Sequence, residues 1–129
     1  LDPDLTPLET IQTHASLNET VVRSYLHYYL FSGDDALRKN HDLSYGERAR
    51  LALAALVVQG SNFLLLDEPI NHLDIPSRSR FEQALTLFHG TVLAVVHDRY
   101  FIQQFATEIW TMDNQGIHKQ DLRIVGTDA

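Results

Sequence analysis

The run Phe63-Leu64-Leu65-Leu66 ending in Asp67-Glu68 constrains this chain most. Four consecutive large apolar residues read as a strand covered on both faces, as in a parallel sheet, and such sheets take ligands outside the carboxyl ends of their strands. Asp67 and Glu68 stand at that end. Two adjacent carboxylates beside a buried apolar strand are costly unless a cation, a hydrogen-bond network or a catalytic task accounts for them. Taken alone, the pair also reads as a loop solvated by charge. Its meaning depends on what else reaches the same sheet edge.

Downstream, Pro76 opens a helix reaching about Phe88 and stopped by Gly90, and residues 91–96 form a second apolar, β-branched strand. The order strand, helix, strand implies a right-handed crossover and parallel pairing, which carries His97 to the edge that holds Asp67. A helix over residues 100–105 follows. Residues 108–112 and 117–120 then form a hairpin around Asn114-Gln115-Gly116. Upstream the chain reads as helical. Thr6-Pro7-Leu8-Glu9 is a capping box opening a short helix to about His14, and Asn18 caps a second helix. Val21, Val22, Tyr25, Leu26, Tyr29 and Leu30 share its apolar face, and Ser32-Gly33-Asp34-Asp35 breaks it. The aromatic cluster Tyr25, Tyr28, Tyr29 and Phe31 reads as packing in preference to a base-stacking surface. Ser44-Tyr45-Gly46-Glu47 is another capping box. It opens a helix that Ala49, Leu51, Ala52, Leu53, Ala55, Leu56 and Val58 nearly surround, so burial on most sides is expected before Gly60 ends it. The fold class is α/β.

With 129 residues, 44% of them apolar and 21% charged, the chain is one globular domain or part of one. The absence of cysteine excludes disulfides, thiolate metal sites and a thiol nucleophile, leaving carboxylate, histidine or metal chemistry. A net charge of −7 and ten scattered Lys and Arg residues argue against a strong nucleic-acid footprint. No apolar run approaches the roughly 20 residues of a membrane span, and Leu1-Asp2-Pro3-Asp4 does not open a signal peptide. No direct membrane insertion and a cytoplasmic location are expected.

A phosphoryl-transfer site needs a cation holder, a group that activates water, and donors for the charge that builds on the transferred group. Asp67, at the strand end, suits Mg²⁺ held through water, because Mg²⁺ keeps much of its hydration shell. Glu68, one residue further into the turn, suits polarising an attacking water. His97 suits a hydrogen bond to a terminal phosphate or to that water, although a lone histidine here would more simply cap its strand. The other histidines, His14, His27, His41, His72, His89 and His118, form no metal-ligand pattern. Ser44-Tyr45-Gly46 offers the N–H groups and positive dipole end of a helix N-terminus to an anion, and by itself is also an ordinary cap.

In order, Leu43-Ser44-Tyr45-Gly46-Glu47, Phe63-Leu64-Leu65-Leu66-Asp67-Glu68, Asn71-His72-Leu73-Asp74 and His97 resemble four motifs of the ABC ATPases: the signature, the Walker B strand with its catalytic glutamate, the D-loop and the switch histidine. Asp67-Glu68-Pro69 running into Asn71-His72-Leu73-Asp74, together with His97-Asp98-Arg99-Tyr100-Phe101, is similar to the ABC-F branch, whose soluble members carry two ATPase domains and in many cases act on the ribosome. The resemblance implies a P-loop NTPase-like fold, with a helical subdomain over residues 1–43 and part of the ATPase core over 44–129. It also implies ATP and Mg²⁺ as cofactors, with Glu68 and His97 catalytic and Asp67 serving the metal. Ser44, Tyr45, Gly46, Glu47 and Asp74 would contact nucleotide in a sandwich completed by a second ABC domain, in the same chain or in a dimer.

Tyr45 stands where the signature usually has glycine, and Ile70 where threonine usually follows the proline. Glu47 in place of glutamine is common in this branch. The largest departure is that no Gly-x-x-x-x-Gly-Lys-[Ser/Thr] loop occurs, the only lysines being Lys39 and Lys119. That loop supplies most phosphate contacts. The expectation is therefore a C-terminal portion of an ABC domain, inactive alone, whose phosphate cradle lies before Leu1. The ending at Ala129 reads as the second domain of a two-domain protein. The alternatives are the ATPase subunit of an ABC membrane transporter, bound to a permease, and a non-catalytic interaction module keeping the ABC fold. A chromosome-structuring ATPase would bring a coiled coil, and no sustained heptads precede Leu43.

Overall fold

The computed structural model describes residues 1–120; residues 121–129, the end of the expected core segment, lie outside them. The chain divides into two compact units, Leu1–Ala94 and Val95–Ala129.

The first unit begins with three helices whose starts are set by side-chain caps. In α1, Pro7–His14, the Thr6 hydroxyl accepts from Glu9 N at 3.2 Å while the Glu9 carboxylate accepts from Thr6 N at 3.1 Å, which satisfies two otherwise orphaned donors. Asn18 caps α2, Glu19–Tyr28, through a 2.9 Å bond from Val21 N. The buried face of α2 is narrower than its apolar spacing predicts. Val22 and Leu26 are fully buried, but Val21 is 44% exposed and Leu30, past the helix end at φ 69°, is 37% exposed. Short 3₁₀ turns at Gly33–Leu37 and Asn40–Asp42 lead to α3, Tyr45–Val58. Gly46, Arg50, Leu51, Leu53, Ala54 and Ala55 of α3 are buried, with Leu51 and Leu53 on opposite sides of the helix, and only Tyr45, Arg48 and Leu56 are exposed along it, so the expected burial on most sides is found. Ile11, Val22, Leu26, Phe31, Leu51 and Leu64 are the most deeply buried large side chains.

Strands β1, Phe63–Asp67, and β2, Thr91–Val95, are neighbours in a two-stranded parallel sheet, joined by α4, Ile75–Leu85. A backbone bond from Thr91 N to Asn62 O at 2.9 Å sets their start. Gly90 is required there: a Cβ on it would lie 2.3 Å from the Asn62 carbonyl oxygen. α4 starts one residue before Pro76, because Asp74 caps it, and ends before Phe88, because Leu87 N and Phe88 N turn back to Ala84 O and Leu85 O. The expectation that β1 is covered on both faces fails. Leu64 is 2% exposed, but Phe63 and Leu65 are 53% and 70% exposed, and Leu93 on β2 is 56% exposed. Successive side chains point to opposite faces, and among the described residues only one face has a packing layer.

The second unit holds α5, Arg99–Phe105, capped by Asp98, whose carboxylate accepts from Phe101 N at 2.9 Å. The hairpin of β3, Ile109–Asp113, and β4, Gly116–Gln120, is antiparallel, as expected, but its strands run one residue closer to the turn on each side than the sequence predicts, with Asp113 opposite Gly116. Gly116, at φ 122°, supplies the conformation this tight turn needs. No helix among the described residues is long and apolar enough to cross a membrane.

Candidate functional site

Asp67 is the last residue of β1 and its side chain is exposed. Glu68 then leaves the extended geometry at φ 48°, and His72 follows at φ 67°. Left-handed backbone costs a residue with a Cβ roughly 1–2 kcal/mol, so two such residues in five positions are a concentration of strain of the kind found at functional sites. Glu68 therefore falls outside the alternation that governs its strand. The turn is held by Asn71 N donating to Glu68 O at 3.1 Å and Leu73 N donating to Ile70 O at 3.3 Å, with the Ile70 side chain only 8% exposed as its anchor. Sequence reasoning placed the two carboxylates but missed this conformation. Glycine or asparagine would have signalled it, and neither stands at position 68 or 72.

The turn ends at Asp74, whose carboxylate accepts from Ser77 N at 2.9 Å and so caps α4. The Ser77 side chain and then its backbone N–H hold the Asp74 carboxyl below its ordinary value. The same stretch meets the first turn of α3. A Cβ on Gly46 would lie 2.7 Å from Ser77 Cβ, 2.9 Å from Ser77 Oγ and 3.5 Å from Leu73 Cδ2. The structure thus brings Gly46 against the Leu73–Ser77 segment and places the N-termini of α3 and α4 side by side. Two positive helix ends converge.

At the start of α3 the Ser44 hydroxyl accepts from Glu47 N at 3.1 Å, and the Glu47 carboxylate accepts from Ser44 N at 3.0 Å. The second Glu47 oxygen pairs with Arg38 Nη1 at 3.2 Å, and Arg38 Nη2 donates to Asp42 O at 2.8 Å, which ties the preceding 3₁₀ turn to the cap. Partial burial alone would raise the Glu47 carboxyl. The Ser44 backbone N–H and hydroxyl, then Arg38 and Arg50, outweigh it and hold the group below its ordinary value. Tyr45 occupies the first position of the helix and is 65% exposed.

His97 lies in the second unit, in the segment between β2 and α5, with its imidazole exposed. Among the described residues no group of three or more His, Cys, Asp or Glu side chains is arranged to hold a metal ion. One buried charged residue beside the Ser44–Glu47 turn was not singled out in the sequence reading. Arg50, in the second turn of α3, is buried at 4% exposure, where burial lowers its pKa and Glu47 opposes that shift.

Comparison with known proteins adds an independent line. The family model described as "ABC transporter" matches residues 1–71. Curated relatives include ABC transporter F family member 5 of Arabidopsis thaliana, 44% identical over 84% of this chain and 16% of that protein. The ribosome protection protein VmlR of Bacillus subtilis (strain 168) is 36% identical over 88% of this chain and 22% of its own length. The ATP-binding protein Uup of Escherichia coli (strain K12) is 37% identical over 90% and 19%. The chain therefore spans about a fifth or less of the length of these relatives. Among solved structures, an ABC transporter of metal-chelate type in an inward-facing conformation matches with a TM-score of 0.73 at 19% identity, over 95% of this chain and 56% of that one. At that identity the likeness concerns the fold.

Proposed function

The chain belongs to the ABC transporter family as an ABC ATPase domain of the ABC-F type, and from this premise we propose that it supplies one half of a composite ATP-hydrolysing site. The observation that carries the reading is the carboxylate end of β1, where exposed Asp67 is followed by Glu68 in a strained left-handed turn anchored by Ile70. Strain of this kind persists only where surrounding structure over-determines it, and it is a reason to assign the turn a task.

In this reading Glu68 accepts a hydrogen bond from the attacking water and orients it toward the terminal phosphate. Asp67 would hold Mg²⁺. Its exposed single carboxylate, outside any cluster of metal ligands among the described residues, fits an ion that stays largely hydrated and is carried mainly by phosphates. Bound there, Mg²⁺ would neutralise charge on the phosphates during transfer. His97 would donate a hydrogen bond to the terminal phosphate. The sequence contains no glycine-rich phosphate loop, so the main cradle for ATP would come from elsewhere in a longer protein, and this chain alone would be inactive.

The other face of the half-site is the paired N-termini of α3 and α4. Ser44, Tyr45, Gly46 and Glu47, with Asp74 closing the adjacent turn, would meet a nucleotide cradled by a second ABC domain. A helical subdomain over residues 1–43 would carry this signature turn on the core part that begins at residue 44. The protein would be cytoplasmic and free of the membrane, and ribosome-associated by analogy with the relative named for ribosome protection.

The test is Glu68→Gln in the full-length protein. ATP hydrolysis should fall by about 100-fold or more, in the range general-base catalysis supplies, while ATP-dependent pairing of the two domains persists. Hydrolysis at the parental rate would reject the role of Glu68. Nucleotide-dependent co-sedimentation with ribosomes tests the client separately.

A further inference from the structure

The end of α2 is held by an arginine from α3. Phe31 N donates to Leu26 O and Leu30 N to His27 O, both at 3.0 Å, the two bonds of a Schellman motif. Leu30 occupies the left-handed position at φ 69°, where glycine is usual. Such a turn needs outside support. Arg50 gives it: Nη1 donates to Tyr29 O at 3.0 Å and to Leu30 O at 3.3 Å, and the guanidinium lies over the Phe31 ring at 5.0 Å. Its Nε is buried with no hydrogen-bond partner among the described residues. A buried guanidinium with an unsatisfied donor is a poor choice for stability alone, since an apolar side chain would fill the space without desolvating a charge.

What the arginine adds is a fixed distance. Arg50 stands six positions along α3 from Ser44, and one helix turn farther the Tyr25 hydroxyl donates to Ala54 O at 2.7 Å. These ties fix the rotation and height of α3 on α2. Because an α-helix is stiff over such a span, what holds Arg50 also holds the Ser44–Glu47 turn. We propose that Arg50 is a positioning residue that locks α3 to the C-terminal turn of α2 and so sets where Ser44 and Tyr45 meet a nucleotide held by the second domain. The proposal rests on the composite-site reading above and adds to it the device that aims one face.

Arg50→Met and Arg50→Lys are compared with Glu68→Gln in the full-length protein. Hydrolysis, affinity for a fluorescent ATP analogue and melting temperature are read for each. Arg50→Met should lower kcat about tenfold per folded molecule and leave analogue affinity unchanged, since the main cradle is untouched, and Arg50→Lys should recover part of the loss. Parental kcat in Arg50→Met, or a loss that only tracks the unfolded fraction, overturns the role. If Arg50→Met does not fold, Arg50→Lys decides by the same split between kcat and affinity. An inactive Glu68→Gln beside fully active Arg50 variants removes the positioning role alone. A fully active Glu68→Gln removes the site reading and this inference with it.

Discussion

At the scale of single residues, Gly46 shows how one position serves two demands. As a signature residue it would let a nucleotide approach, yet its immediate neighbour is Ser77 of α4, whose Cβ leaves no room for another. Gly46→Ala would gain about 1 kcal/mol of helix propensity. Against that, Ser77 Cβ is fixed to its backbone and cannot rotate away, and overpacking of this kind costs roughly 1–3 kcal/mol. The clash should win. Gly46→Ala is expected to lower stability by about 1–2 kcal/mol in denaturant unfolding. Ser77→Gly should relieve much of that loss in a double-mutant cycle, because the two residues touch. Additive losses would show that glycine is needed at position 46 for some other reason.

At the scale of elements, helix starts were legible because capping is local chemistry. Thr6, Asn18 and Ser44 each sit a few residues before the backbone N–H they bind, and the structure finds all three bonds. Asp74 and Asp98 cap α4 and α5 in the same way, and reading them as motif residues hid one residue of each helix. The left-handed Leu30, Glu68 and His72 were not legible, since each depends on partners far along the chain or on packing around a turn. The α3 cap also carries a pH prediction. The Glu47 carboxyl is held low, so its contribution is fully present above the ordinary glutamate range and is lost as pH falls through its lowered folded value. Glu47→Gln keeps an acceptor for Ser44 N but loses the ionic bond to Arg38. It should be about 0.5–1 kcal/mol less stable than the parent at pH 7, and the two should converge in melts well below the ordinary glutamate pKa of about 4.3. A gap that persists in acid would assign the effect to shape instead of charge.

At the scale of the molecule, what remains is the uncovered sheet. The apolar run at positions 63–66 correctly announced a strand with carboxylates at its end, but not which faces it would bury, because coverage is a property of neighbours and not of the strand. Phe63, Leu65 and Leu93 leave large apolar side chains exposed on a sheet of two strands, which also has backbone edges open to pairing. Burying a leucine is worth roughly 1.5–3 kcal/mol, so covering several such residues at once drives association. The isolated chain should therefore self-associate in solution, with a mass above that of one copy in light scattering at micromolar concentration. Leu65→Lys should shift the distribution toward monomer, since Leu65 is 70% exposed and contributes little to the core of its own unit. A monodisperse monomer for the parent chain would mean that this face is tolerated in water. The driving force assigned to the bare face of β1 would then be wrong.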